Sequence, residues 1–334
     1  MSRNLVMRML LLVLASFATL QRGFPQEESG LGLLGRGINF GNVLEAPKEG
    51  DWGLRFEDDF PTLVKNAGFE HVRIPIRWST HSSSSPPYLI DEQFLKRVKH
   101  VVDASRQAGL KIIVNVHHFE QLYAEPEKHR DWLKALWEQI SAAFADADEH
   151  VYFEVLNEPH GKLNEQEWNS LLFETLLVIR RQHPRRWVII GPAPWNGIEG
   201  LKKLKLPESD QRIIVTAHYY LPFKFTHQGA SWVEPMPPVG VTWLATAEQV
   251  RELEKDFDMV AEWGKRESHP IYIGEFGAYQ AAPLESRVAW TKHVRAACES
   301  RKFGWAYWEL AAGFGVLDKE SKTWRVDLLR ALVE

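Results

Sequence analysis

From Arg36 onward the chain repeats one pattern eight times: a short run of β-branched and aromatic residues, then a longer amphipathic run. Strands joined by helices lie parallel, because a parallel pair needs a crossover too long for a hairpin. The strand-like runs are RGINF, HVRIPIRW, KIIVNVHH, VYFEVLNE, RWVIIGP, IIVTAHYY, IYIGEFG and GWAYWEL. Between and after them lie the helix-like runs FEDDFPTLVKNAG, DEQFLKRVKHVVDASRQAG, RDWLKALWEQISAAFAD, EQEWNSLLFETLLVIRRQ, GIEGLKKLK, AEQVRELEKDFDMVAEWGKR, LESRVAWTKHVRAACESR and VDLLRALV. An open doubly wound sheet would carry glycine-rich phosphate turns, and none is present, so the strands are expected to close on themselves. The expected fold is α/β, a (β/α)8 TIM barrel, as a single domain over residues 34–334. At 334 residues the chain is long enough for such a barrel, which takes roughly 250 as one unit. No second domain, repeat or low-complexity linker is expected, and the long Pro- and aromatic-rich connection at 221–245 reads as functional.

A net charge of −4 leaves no basic footprint for nucleic acid. Cys298 stands alone, which rules out an intrachain disulfide and a cysteine metal cluster and leaves a buried thiol in a helical pattern. Residues 1–20 carry Arg3 and Arg8 ahead of an apolar run, the pattern of a secretory signal peptide. The mature protein is therefore expected to be secreted, extracellular or periplasmic, without a stable membrane span, and monomeric; an uncleaved anchor is the alternative. Of the fourteen tryptophans, Trp132, Trp137 and Trp263 fall on amphipathic helices and read as core.

In a barrel of this kind chemistry sits at the C-terminal ends of the strands. The strand ends carry Arg73 and Arg77, His117 and His118, Asn157 and Glu158, His218 and Tyr220, Glu275, and Trp308 with Glu309. Alternation puts Tyr152, Glu154, Leu156 and Glu158 on one side, and likewise Ile271, Ile273 and Glu275, so both terminal glutamates can face the axis. Two carboxylates meeting across a cleft supply the proton donor and the nucleophile or base that glycosidic cleavage needs; a separation of about 5 Å corresponds to retention. A structural ion pair is the plain alternative for each. His117 and His118 are adjacent, point to opposite sides and do not suit one shared ion, so neither a metal nor a cofactor is expected. Arg73 can pair with Glu154, orient Glu275, or do both.

The segments GINFGNVLEAPKEGDWG, HVRIPIRWSTH, VNVHHFE, FEVLNEPHG, HYYLPFKFTHQGASWVE, IYIGEFGAY and WAYWEL, in this order over residues 34–333, resemble glycoside hydrolase family 5, nearest the thermophile-type bacterial endoglucanases that also hydrolyse mannan. The resemblance implies Glu158 as acid/base, Glu275 as nucleophile, and Arg73, His117, Asn157, His218, Tyr220 and Trp308 as the rest of the active site. It implies sugar contacts from Asn42, Glu45, His118, His227 and Trp232; for Trp232, packing within its own loop is the competing reading. LAAGFG at 310–315 departs from the bulkier or more polar run expected after the tryptophan. The expected activity is retaining endo-β-1,4-glucanase action on β-linked polysaccharide, extending to glucomannan or mannan; an endo-β-1,4-mannanase, a non-catalytic glycan-binding barrel and a metal-dependent hydrolase are the alternatives. Arg73 and Tyr220 are expected to hold Glu275 ionised with a low pKa, and its charge to raise that of Glu158.

Overall fold

The structure is a computed structural model that describes residues 28–334; the signal-peptide reading of residues 1–20 lies outside the described residues. The strands are β1 (Arg36–Asn39), β2 (His71–Ile74), β3 (Lys111–Asn115), β4 (Val151–Glu154), β5 (Val188–Ile190), β6 (Ile213–Tyr219), β7 (Ile271–Phe276) and β8 (Gly304–Tyr307). Each pairs parallel with the next, and β1 pairs with β8 through Gly37 and Ala306, closing the barrel. Several strands stop earlier than the apolar runs suggest. β2 ends at Ile74 because Pro75 has no N–H to give the ladder.

Two apolar layers follow from the alternation of side chains. Val72, Ile112, Val114, Phe153, Ile213 and Val215 face outward and pack with buried residues of the surrounding helices, among them Trp132, Leu136, Trp137, Trp168 and Trp290. Inside, Ile113, Tyr152, Ile189, Ile214, Tyr272 and Ala306 form a plug with Leu34 at the N-terminal end of the strands. The short helix Gly30–Leu33 closes that floor; the Tyr152 hydroxyl donates to the Leu33 carbonyl (2.9 Å), and His71 bridges the Leu34 carbonyl and the Tyr272 hydroxyl (3.0 Å each). The polar side chains of the opposite end therefore rest on a packed base.

The helices start where capping residues stand. Asp91 accepts from Phe94 N at the head of Glu92–Gln107, and Thr246 with Gln249 makes a reciprocal capping box at the head of Ala247–Glu267. One expected helix differs, and the last one, VDLLRALV, is helical as expected. GIEGLKKLK folds as a 3-10 helix, Ile198–Lys203, and a small antiparallel ladder of Leu317–Asp318 with Thr323–Trp324 precedes the last helix, Val326–Val333. Trp132, Trp137 and Trp263 are buried, as is Cys298. Among the described residues no helix is long and apolar enough to cross a membrane.

One irregularity sets the site. Ala217 pairs with Ile273, but His218 pairs with Glu275, leaving Gly274 as an extra residue on β7. Such a bulge rotates everything beyond it by one position. The expected sharing of one side by Ile271, Ile273 and Glu275 is thereby corrected: Ile271 and Ile273 pack outward, Tyr272 points into the barrel, and the bulge turns Glu275 inward. Only glycine fits there, since a Cβ would lie 2.6 Å from Thr216 Oγ1. Asn39 donates its side-chain amide to the Gly274 carbonyl at 3.0 Å, fixing the bulge from β1, on the far side of β8.

Candidate active site

Arg73 is the hub of the polar layer above the plug. Its side chain is fully buried, and all five of its N–H donors are used. Two go to the carboxylate of Glu154 (2.5 and 2.7 Å), and one each to Asn39 Oδ1 (2.9 Å), Asn157 Oδ1 (2.6 Å) and Glu275 Oε1 (2.7 Å). The two expected roles of Arg73, partner of Glu154 and orienter of Glu275, thus coexist. A bidentate pair on one side locks the guanidinium plane, and that plane fixes where Glu275 and Asn157 sit.

Glu275 Oε2 accepts from the Tyr220 hydroxyl at 2.9 Å, so both of its oxygens are held. Glu158 lies opposite. β4 has ended at Glu154, and Glu158 adopts the left-handed region (φ 46°), so its direction comes from this turn and not from strand alternation as expected. Its carboxylate has His218 Nδ1 at 2.7 Å, and its side chain keeps 22% exposure against 6% for Glu275. One carboxylate oxygen from each glutamate and a ring nitrogen of His218 all lie within 4.8 Å of one another.

Burial dominates the protonation of this group. It pushes Glu158 up to about 7 and His218 down to about 4, so that the imidazole is neutral in the intervening range. Burial pushes Glu275 up as well, against the opposing pull of His218, Arg73 and the Tyr220 hydroxyl, which corrects the expectation of a low value. The asymmetry that remains is in the donors: Glu275 has a charged guanidinium and a phenol, Glu158 a neutral imidazole and the Asn157 amide. The last proton shared by the pair accordingly rests on Glu158.

Glu158, His218 and Glu275 are also the set, among the described residues, whose atoms come close enough to share a cation. Arg73 opposes that use, because its guanidinium already sits on the other oxygen of Glu275 and would repel a cation bound to the same carboxylate.

The surrounding residues form the cleft. The His117 ring lies parallel to Trp308 at 5.9 Å and meets His118 edge-on at 4.5 Å. His227 stacks on Phe223 at 4.2 Å and abuts Tyr220 at 4.9 Å. Trp232 is 59% exposed, touching Tyr279 by an edge, which argues against the packed alternative for it. The loop that carries both is pinned by the buried Gln228, whose amide bonds Phe225 O, Val241 O, Gly240 N and Val241 N.

Two exposed tryptophans were not anticipated. Trp195 lies flat on His160 at 3.5 Å, and the His160 ring nitrogen is 2.6 Å from the Glu158 carbonyl. Trp52 meets His118 edge-on at 5.8 Å. Their turn contexts, PWNG and GDWG, are where a large ring has no core to enter.

Glu45 is corrected from sugar contact to scaffold. It is fully buried, and its carboxylate accepts from the backbone N–H groups of Asn42 and Val43, while Asn42 itself is half-buried. Glu309 is equally buried and accepts from Ala311, Ala312 and Phe314 N, so the small residues of LAAGFG are those that let the chain wrap a carboxylate. Burial raises Glu45 to about 8 and Glu309 to about 7. These acids, with Glu158, bind protons more tightly folded than unfolded, and their stabilisation is lost as pH rises through 7 to 8. Burial lowers His71 to about 3 and His118, His218 and His227 to about 4, a contribution present above the ordinary 6.5 and lost as pH falls. The melting temperature is therefore expected to crest near pH ~6 and to fall toward 8; calorimetry across that range showing a flat plateau would contradict this.

Residues 36–313 match the family described as Cellulase (glycosyl hydrolase family 5). The chain is similar to Endoglucanase H of Acetivibrio thermocellus, 35% identical over 306 residues that cover 90% of this chain and 33% of that protein. It spans 33% and 38% of the lengths of the first two curated relatives it matches. Among solved structures it resembles Cel5A of Thermotoga maritima in complex with cellobiose, at 49% identity and TM-score 0.90, covering 93% of this chain and 100% of that one. The same protein in complex with mannotriose gives 48% identity and TM-score 0.90 with the same coverage. A match that begins with the first strand and runs past the eighth takes in the whole barrel, and the chain belongs to glycosyl hydrolase family 5, the cellulases.

Proposed function

We propose that the chain is a secreted, retaining endo-β-1,4-glucanase that also accepts glucomannan or mannan. The observation that carries this reading is the spacing of Glu158 and Glu275, whose oxygens fall within 4.8 Å of each other. Retaining glycosidases place the pair about 5–5.5 Å apart, whereas inverting ones leave roughly 6.5–9.5 Å for a water. In the first step Glu275 attacks the anomeric carbon while Glu158 passes its proton to the departing glycosidic oxygen. Consuming the Glu275 charge lowers the proton affinity of Glu158, which then takes a proton from water as the water attacks the same carbon and frees Glu275. In this reading Asn157, held by Arg73, bonds the 2-hydroxyl of the reacting sugar and Trp308 stacks on a pyranose face.

The choice of β-1,4-glucan follows the similarity to Endoglucanase H and to Cel5A with cellobiose, and that of mannan the similarity to Cel5A with mannotriose. Glucose and mannose differ at C2, beside Asn157. The test is hydrolysis of carboxymethyl cellulose, barley β-glucan, glucomannan and mannan, with the anomer first released read by proton NMR. Mid-chain cleavage with the β-anomer appearing first is expected; the α-anomer would overturn retention, and inertness on all four would favour the glycan-binding reading. Activity surviving chelators is expected, and its loss would favour the metal-dependent reading. N-terminal sequencing of protein recovered from the medium tests export and cleavage near residue 20.

The pH profile adds a sign. Glu158 must be protonated to cleave, so kcat/KM is expected to fall above about 7, tenfold per unit, and to fall again at low pH as Glu275 takes up a proton. A profile flat to pH 9 would remove Glu158 from the acid role.

A further inference from the structure

His218 faces both glutamates through one nitrogen, Nδ1, at 2.7 Å from Glu158 Oε1 and 3.5 Å from Glu275 Oε2. Which ring nitrogen carries the proton therefore decides whether the ring donates to that pair or accepts from it. The other nitrogen, Nε2, has one hydrogen-bond partner among the described residues, the side-chain amide of Asn196, with Nδ2 at 3.4 Å.

Asn196 is fully buried and built into place. Its carbonyl accepts from His218 N at 2.8 Å, and Gly197 forms a parallel bridge with His218, so the turn after β5 is stitched to β6 at that histidine. Its backbone is left-handed (φ 50°), a region where asparagine is enriched among residues with side chains. Its Oδ1 has no partner and packs against Gly191, where a Cβ would come within 2.2 Å of it. A buried unsatisfied oxygen is a cost that an apolar side chain of the same shape avoids, so packing alone does not account for an amide here.

We propose that Asn196 is a positioning residue for the glutamate pair: its amide N–H donates to Nε2 of His218 and so keeps the ring proton on Nδ1, where it is given to Glu158. This rests on the reading of Glu158 as acid and then base. An Nδ1–H favours the ionised carboxylate, the form required when water is activated in the second step. The charged and titratable groups around His218 are Glu158 and Glu154 from β4 and the turn beyond it, Glu275 from β7, Arg73 from β2 and His117 from β3. All remain in an Asn196 variant.

The test uses Asn196→Leu and Asn196→Asp beside the parent enzyme and Glu158→Gln. In histidine-15N spectra the parent is expected to show the His218 proton on Nδ1. Asn196→Asp, whose carboxylate can only accept, is expected to move it to Nε2. Asn196→Leu removes the donor without adding an acceptor, so Glu158 holds its proton longer and the alkaline limb of kcat/KM is expected to move up by ~0.5–1 pH unit. A parent ring protonated at Nε2, or an unmoved limb in a folded Asn196→Leu enzyme whatever its rate, would overturn the proposal. If Glu158→Gln kept near-native rates, the acid/base reading would fail instead, and the two failures are told apart.

Discussion

Glutamine in place of Glu275 is expected to lower kcat on cellooligosaccharides by about 10⁴-fold or more, roughly 5.5 kcal/mol of barrier, while the protein melts close to the parent. The reason is local. The carboxamide oxygen still accepts from Arg73 Nη1, and its NH2 can donate to the Tyr220 oxygen, so the two bonds that hold the side chain persist. What disappears is the charge that forms the bond to the anomeric carbon. Glu275→Ala with added azide separates this role from a general electrostatic one, because azide occupies the vacated space and attacks the same face. An inverted glycosyl azide is expected, formed with Glu158 still delivering the proton. Glu158→Ala behaves differently: with a dinitrophenyl leaving group that needs no proton, the first step survives and a covalent adduct on Glu275 accumulates, visible by mass spectrometry. Near-native turnover by Glu275→Gln, or an adduct on any other residue, would end the assignment.

The barrel was legible because its period is enforced everywhere by burial: strands covered on both faces must be apolar runs, and the helices over them must be amphipathic. The site was legible as a set of residue types at strand ends and much less so as geometry. Alternation predicted an inward Glu275 on the same side as Ile273, and the residue does face inward, but through an inserted Gly274 that reverses the count. A bulge changes no composition and leaves only an isolated glycine in a strand as its mark. Glu158 similarly lies beyond the end of its strand, where φ and not period decides direction. Motif likeness placed Glu45 in the cleft, yet its carboxylate is spent on two backbone N–H groups, a use that chain spacing does not distinguish from sugar binding. Trp52 and Trp195 were passed over because tryptophan on a helix and tryptophan in a turn have the same letter and opposite fates.

The electrostatic expectation for Glu275 failed for a related reason. A neighbouring arginine argues for a low pKa only when its charge is not already engaged, and Arg73 divides its five donors among Glu154, Asn39, Asn157 and Glu275. Burial of the whole cluster then outweighs the share that Glu275 receives. Partner lists are properties of a packed interior.

That division makes Arg73 the residue whose loss should cost most in stability. Arg73→Met keeps much of the stem but strands the Glu154 carboxylate, which has no exposure, and frees one side of Glu275. Removing one partner of a buried ion pair costs about 3–5 kcal/mol, a large part of the ~5–15 kcal/mol that holds a domain folded. Denaturant midpoints should fall accordingly, and the acid limb of the rate profile should move upward as Glu275 loses the donor that favours its charge. Arg73→Lys keeps a charge but offers three donors where five are used, so it should recover part of the stability and little of the activity. Pairing Arg73→Met with Glu154→Leu separates the two functions of the hub. Burying two apolar side chains where an ion pair stood should restore most of the lost stability, because the stranded charge is gone. Activity should stay low, because Asn157 and Glu275 still lack the planar group that aims them. If the double variant recovered turnover along with stability, Arg73 would be a partner for Glu154 alone, and the alignment of the nucleophile would have to come from Tyr220.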